Sequence, residues 1–123
     1  MKQVMYVVDE DILFCNRIAS LFASTSFAVK TFECAKDFLK QSHPIAPGCF
    51  LIINSDVEDM NIIELIEELK QTVFKIHVIV IGEEDDIPQA VKTMRAGAVN
   101  FIGKPFSDQK LKSCIEKLML SET

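Results

Sequence analysis

The stretch "FLIINSDVEDM", residues 50–60, decides how the chain is read. Four apolar residues, Phe50 to Ile53, run without a charge into Asn54, and the acids Asp56, Glu58 and Asp59 follow at once. An uncharged run of this kind reads as a strand buried on both faces, which is the mark of a parallel sheet covered by helices on each side. In such sheets ligands bind beyond the carboxyl ends of the strands, so the polar tip of this run points at the place where chemistry is done. The tip is a carboxamide, a poor nucleophile where a carboxylate would be a good one.

Working outward, the same kind of run recurs. "VMYVV" (4–8), "FAVKTF" (27–32), "CFLII" (49–53), "IHVIVI" (76–81) and "AVNFI" (98–102) alternate with segments of helical period, which predicts an α/β domain with a doubly wound, five-stranded parallel sheet over residues 1–123. "VMYVV", "CFLII" and "IHVIVI" belong inside the sheet, whereas "FAVKTF" and the shorter "AVNFI" suit its edges. The helical stripes are Phe14, Ile18, Leu21 and Phe22; Ile62, Leu65, Ile66 and Leu69; and Leu111, Ile115 and Leu118. Asn61 with Glu64 has capping-box spacing, Pro88 falls in a first turn after Asp86, and Gly97 ends that helix. "SHPIAPG" (42–48) is the clearest loop.

Composition narrows the function. A hydrophobic content of 49% and a charged content of 25% fit a globular protein with an ordinary core. No apolar run approaches the roughly 18 residues that a membrane span requires. The acids in "MKQVMYVVDEDI" interrupt any export signal, so the expected location is the cytoplasm. The net charge of -5 argues against direct nucleic-acid contact by this domain, because phosphates require a basic face. Cys15, Cys34, Cys49 and Cys114 lack metal-ligand spacing and read as buried reduced thiols. His43 in the loop and His77 at a strand entrance read as surface or rim residues.

Applied to the acids, the strand-end rule gathers Asp9 and Glu10 after the first strand, Asn54 and Asp56 after the third, Gly82 to Asp86 after the fourth, and Lys104 after the fifth. Carboxylates facing a lysine make a site for a divalent cation and a phosphoryl group. Asp11, Glu84, Asp85 and Asp86 are better explained as helix-start acids, which are stabilising in any protein.

These residues resemble those of the receiver domains of bacterial two-component response regulators. "VVDED" (7–11) is similar to the acidic-pair motif of that family, and "AVKTMRAGAVNFIGKPF" (90–106) is similar to the end of receivers attached to LuxR-type or NtrC-type transcription factors. The resemblance implies a flavodoxin-like fold with strand order 2-1-3-4-5 and a signalling domain that is not an enzyme. It places Asp9 and Glu10, helped by Asp56, at a Mg²⁺ site, Asn54 at the phosphoacceptor position and Lys104 beside the phosphoryl oxygens. It also implies a cis peptide between Lys104 and Pro105, and a switch formed by residue 82 and the aromatic Phe101.

Three positions depart from the pattern. Asn54 lacks the carboxylate that forms an acyl phosphate. Gly82 stands where the family has a Ser or Thr hydroxyl, and Glu58 and Ile62 replace the usual Pro and Gly. An amide at position 54 also removes repulsion, which for carboxylates about 5 Å apart at an effective dielectric near 20 is roughly 3 kcal/mol per pair. The resulting expectation is a degenerate receiver with weak or absent Mg²⁺ binding. It would act through protein partners, or as a self-dimer, on the face of the fourth helix, fifth strand and fifth helix, where Lys92, Arg95, Lys110 and Lys112 lie. It would also regulate an attached DNA-binding domain, with its sensor kinase left open. The alternatives are a working receiver that uses Asp56, an engineered Asn54 variant of an active receiver, and a flavodoxin-like enzyme or cofactor binder. The last is disfavoured because acids rather than a Gly-rich loop follow the first strand.

Overall fold

The computed structural model describes residues 3–41, 48–71 and 76–120. His43 and most of the "SHPIAPG" loop lie outside them. Strands and helices alternate as β1 (Gln3–Val8), α1 (Ile12–Leu21), β2 (Phe27–Phe32), α2 (Ala35–Gln41), β3 (Cys49–Asn54), α3 (Ile62–Lys70), β4 (Ile76–Glu83), α4 (Ile87–Ala96), β5 (Asn100–Lys104) and α5 (Asp108–Leu120). The strands form one sheet in the order β2-β1-β3-β4-β5, and every neighbouring pair is parallel. The two runs assigned to edges are the edges.

The central strands are apolar throughout because they feed two cores. Tyr6, Val8, Leu51, Ile53, Val78 and Val80 point to the side where Phe38 of α2 and Leu65, Ile66 and Leu69 of α3 pack. Met5, Val7, Phe50, Ile52, Ile79 and Ile81 point to the other, against Cys15 and Ile18 of α1 and Leu111 and Ile115 of α5. Alternation along each strand thus sends successive residues to opposite cores, and each buried aliphatic side chain contributes roughly 1.5–3 kcal/mol.

Caps set where the helices begin. Asp11 accepts from the backbone N–H of Leu13 and Phe14, Asn61 from those of Ile63 and Glu64, and Asp86 from that of Gln89. Gly97 ends α4 at φ 130°, a region that a side chain would resist.

Some sequence expectations need correction. β5 begins at Asn100 rather than Ala98, because the Ala98 N–H closes the end of α4 on the Thr93 carbonyl at 3.0 Å. Phe14, Leu21 and Leu118 are only half-buried, lying at the margins of their stripes. Cys15 and Cys49 are buried, and burial pushes the Cys49 thiol up to about 11; Cys34 and Cys114 are half-exposed. His77 is half-buried, and its ring packs on that of Phe50 at 4.9 Å between centroids.

Candidate functional site

Asp9 follows directly from β1. It is only 5% exposed, and its backbone N–H donates to the Phe32 carbonyl of the neighbouring strand. Its carboxylate is held at both oxygens: Oδ1 accepts from the Asp11 backbone N–H at 2.9 Å, and Oδ2 accepts from Asn54 Nδ2 at 3.0 Å. Asn54 ends β3, and its Oδ1 accepts from the Asp56 backbone N–H at 2.9 Å. This pair of bonds fixes the amide orientation. A flipped amide would put NH₂ against N–H and oxygen against carboxylate.

Asp56 does not continue the direction of the strand. The chain turns immediately after Asn54, with the Val57 N–H on the Asn54 carbonyl at 3.3 Å. Two-residue alternation therefore does not carry Asp56 alongside Asn54; it is exposed and reaches the site from the turn. The turn is pinned by Ser55, whose N–H donates to the Ile81 carbonyl at 2.8 Å.

Around this pair lies a cavity of about 230 Å³ lined by Asp9, Glu10, Glu33, Cys34, Asn54, Asp56, Val57, Glu58 and Asp59. The structure thus brings Asp9, Glu10, Asn54 and Asp56 together. Lys104 does not line this wall. It belongs to a separate cavity of about 400 Å³ with Phe14, Arg17, Glu83, Pro105 and Phe106. Asn54 pairs with Ile81 and Lys104 pairs with Glu83, so β4 lies between their strands. β3 and β5 are therefore two strand spacings apart, about 10 Å. Among the described residues no ion pair joins Lys104 to an acid. The peptide between Lys104 and Pro105 is cis. Arg17 at the mouth of the second cavity is already bound, 2.7 Å from Asp108 and over the Phe106 ring.

Asp59 has a different task. Its carboxylate accepts from the backbone N–H groups of Ala35 at 3.2 Å and Lys36 at 2.8 Å, so a loop acid caps the start of α2 from 23 or more residues away. Burial pushes its pKa up, but the Lys36 and Ala35 N–H groups, its own backbone and the Cys34 thiol together outweigh burial and hold it below the usual carboxylate value. Sequence reading missed Glu33 and Cys34, although both stand just past β2, where the strand-end rule would have found them. No local signal marks Asp59.

The response regulator receiver domain family matches residues 5–116 of the sequence. The chain belongs to that family. Among relatives, the receiver is 35% identical to response regulator protein TodT of Pseudomonas putida over 112 residues, covering 91% of this chain and 49% of TodT. It is 34% identical to transcriptional regulatory protein FixJ of Rhizobium meliloti over 113 residues, covering 92% of this chain and 55% of FixJ. The chain spans about half the length of the curated relatives it matches. Full-length FixJ from B. japonicum superposes with a TM-score of 0.84 at 28% identity, over 97% of this chain and 58% of that one. A receiver protein from Pseudoalteromonas atlantica gives 0.82 at 29% identity, over 98% of this chain and 99% of that one. Two-component signalling is thereby the context, and the flavodoxin-like order of strands is that of the family.

Receiver domains typically bind Mg²⁺ at the phosphorylation site; here Asp9, Glu10 and Asp56 line the cavity where such an ion would be held. Among the described residues no three His, Cys, Asp or Glu side chains form a metal-binding group. The Asn54 NH₂ donates to Asp9 Oδ2, an oxygen for which a cation bound there would compete. No helix of the described residues is long and apolar enough to cross a membrane.

Proposed function

We propose that this domain is a pseudo-receiver: it keeps the frame of a receiver, does not accept a phosphoryl group, and signals by protein contact independently of phosphorylation. One observation carries the reading. The atom group at the acceptor position is an amide whose NH₂ is bound to Asp9 and whose oxygen is bound to the Asp56 N–H. A neutral amide lacks the charge and nucleophilicity needed for acyl phosphate formation, and here both its ends are tied into the fold. A ligand shifts a conformational equilibrium only by its differential affinity for the two states, so without the phosphoryl group the usual drive is missing.

The contact surface follows from what is left uncovered. On α4, Ile87, Val91 and Met94 are 63%, 41% and 44% exposed and recur at helical spacing, with Lys92 and Arg95 beside them. We assign partner binding or self-association to this helix together with β5 and α5, where Lys110 is exposed and Lys112 half-buried. Two matched relatives are named response regulator protein and transcriptional regulatory protein and are about twice as long. That supports a role in a cytoplasmic regulator in which this domain controls an attached DNA-binding unit without touching DNA itself.

The test is incubation with a small phosphodonor and Mg²⁺, followed by intact mass and peptide mapping. The expected result is no phosphoryl adduct. An adduct mapped to Asp56 would establish the alternative of a working receiver with a displaced acceptor.

A further inference from the structure

The larger of the two cavities at the strand ends has no part in the acceptor argument. Ile81 and Ile102 point into the core under α1 and α5, and residues two apart share a face of a strand, so Glu83 and Lys104 emerge on that same side. They line a cavity of about 400 Å³ together with Phe14, Arg17, Pro105 and Phe106. That volume falls within the range of roughly 300–1,000 Å³ found for small-molecule sites.

Its walls are of two kinds. Phe14 and Phe106 stand edge to face, with centroids 6.3 Å apart and planes at 82°, and both rings are only half-buried. They form an apolar corner against which a third ring can pack in the offset or edge-on geometry that aromatic pairs prefer. The charges set what that ring must carry. Arg17 is already engaged: Nε donates to Asp108 at 2.8 Å, Nη2 donates to the Phe106 carbonyl at 3.0 Å, and the guanidinium lies 4.9 Å from the Phe106 ring centroid. Lys104 is half-buried and, among the described residues, its ammonium has no ion-pair partner. One open cation matches one negative charge. A phosphate dianion would bring a second charge with no partner, close to Glu83 on the same wall.

We propose that this cavity binds a small aromatic monocarboxylate, its carboxylate on the Lys104 ammonium and its ring against Phe14 and Phe106. The site lies between α1 and the turn from β5 to α5. It is defined by those walls and not by the chemistry of Asn54, so it goes beyond the pseudo-receiver reading and does not rest on it.

Titration of the whole chain with benzoate, followed in ¹H–¹⁵N spectra, tests it. Backbone signals of Phe14, Lys104 and Phe106 should shift and saturate by about 10 mM, the weak affinity open to a ligand of so few atoms. Benzamide, of the same shape but neutral, should bind wild type about tenfold more weakly, and benzoate should bind Lys104→Met about tenfold more weakly, as loss of a charge-assisted bond implies. Cyclohexanecarboxylate keeps the charge without the planar ring and should bind about threefold more weakly or worse. Inorganic phosphate at equal concentration should not displace benzoate. The proposal is overturned by an absence of saturable shifts at these residues, by equal affinity for benzamide or for cyclohexanecarboxylate, by unchanged affinity in Lys104→Met, or by displacement with phosphate. Shifts confined to Asp9, Asn54 and Asp56 would put the anion in the acidic cavity and overturn it as well. If Lys104→Met does not fold, the ratio of benzoate to benzamide affinity in wild type decides. The mass measurement above judges the acceptor reading separately, so the two can fail independently.

Discussion

The carboxyl ends of β1 and β3 and the outer face of α4 contrast in what they leave unsatisfied. At the strand ends, Asp9, Asn54 and the Asp56 N–H complete one another's hydrogen bonds. On α4, Ile87, Val91 and Met94 remain open to solvent although three residues of that spacing could line a core. The difference teaches where the domain still has free energy to gain. The acids and amide at the strand ends satisfy one another, and the apolar stripe of α4 stays uncovered on the face proposed above for partners.

The sharpest way to break this comparison is to restore charge at the strand end. Asn54→Asp replaces an N–H donor facing Asp9 with a second carboxylate, and the repulsion amounts to roughly 3 kcal/mol at about 5 Å and an effective dielectric near 20. Urea unfolding in metal-free buffer should show most of that loss, and millimolar Mg²⁺ should recover part of it for the variant only. An unchanged midpoint would mean that the amide is not closing the site.

A smaller effect is expected one layer out. Asp59→Ala removes the acceptor for the Ala35 and Lys36 N–H groups and should cost about 1 kcal/mol, as loss of a helix cap does. The sign with pH follows from its lowered pKa. The native state binds this proton less readily than the unfolded chain, so the contribution is full above the ordinary carboxylate value and fades as pH falls through the lower folded value. The protection of the Lys36 amide, its exchange relative to the unprotected rate at the same pH, should therefore fall below that value in wild type, whereas in the variant it should be low already.

On the α4 side the effect on stability should be smallest. Val91→Ser with Met94→Ser removes exposed apolar surface and should move the unfolding free energy by no more than about 0.5 kcal/mol. Partner binding or self-association, followed by sedimentation, should weaken by an order of magnitude or so, as loss of a buried anchor does. Unaltered association with unaltered stability would remove α4 from the contact surface.

Much of this contrast was legible in the sequence, and its limits have physical causes. Uncharged runs such as "CFLII" declare a strand buried on both faces, and Asp11, Asn61, Asp86 and Gly97 act within a few residues, so local chemistry sufficed for the sheet and most helix starts. Asn54 and Asp9 could be placed together because both end neighbouring strands. What the sequence hid was non-local or set by a turn. Lys104 was assigned to the acids by its strand end; among the described residues it makes no ion pair with them, and it lines a neighbouring cavity. The cap of α2 by Asp59 depends on how a loop falls across another strand. Asp56 was read along an extended chain that in fact turns one residue earlier.

The most direct measurement is of the amide itself. In a ¹H–¹⁵N spectrum the side-chain NH₂ of Asn54 should show one strongly shifted, hydrogen-bonded proton that keeps its position on addition of millimolar Mg²⁺ and a small phosphodonor. A signal that moves to the free-amide region, together with a phosphoryl group appearing on a neighbouring acid, would contradict the claim that this centre is closed.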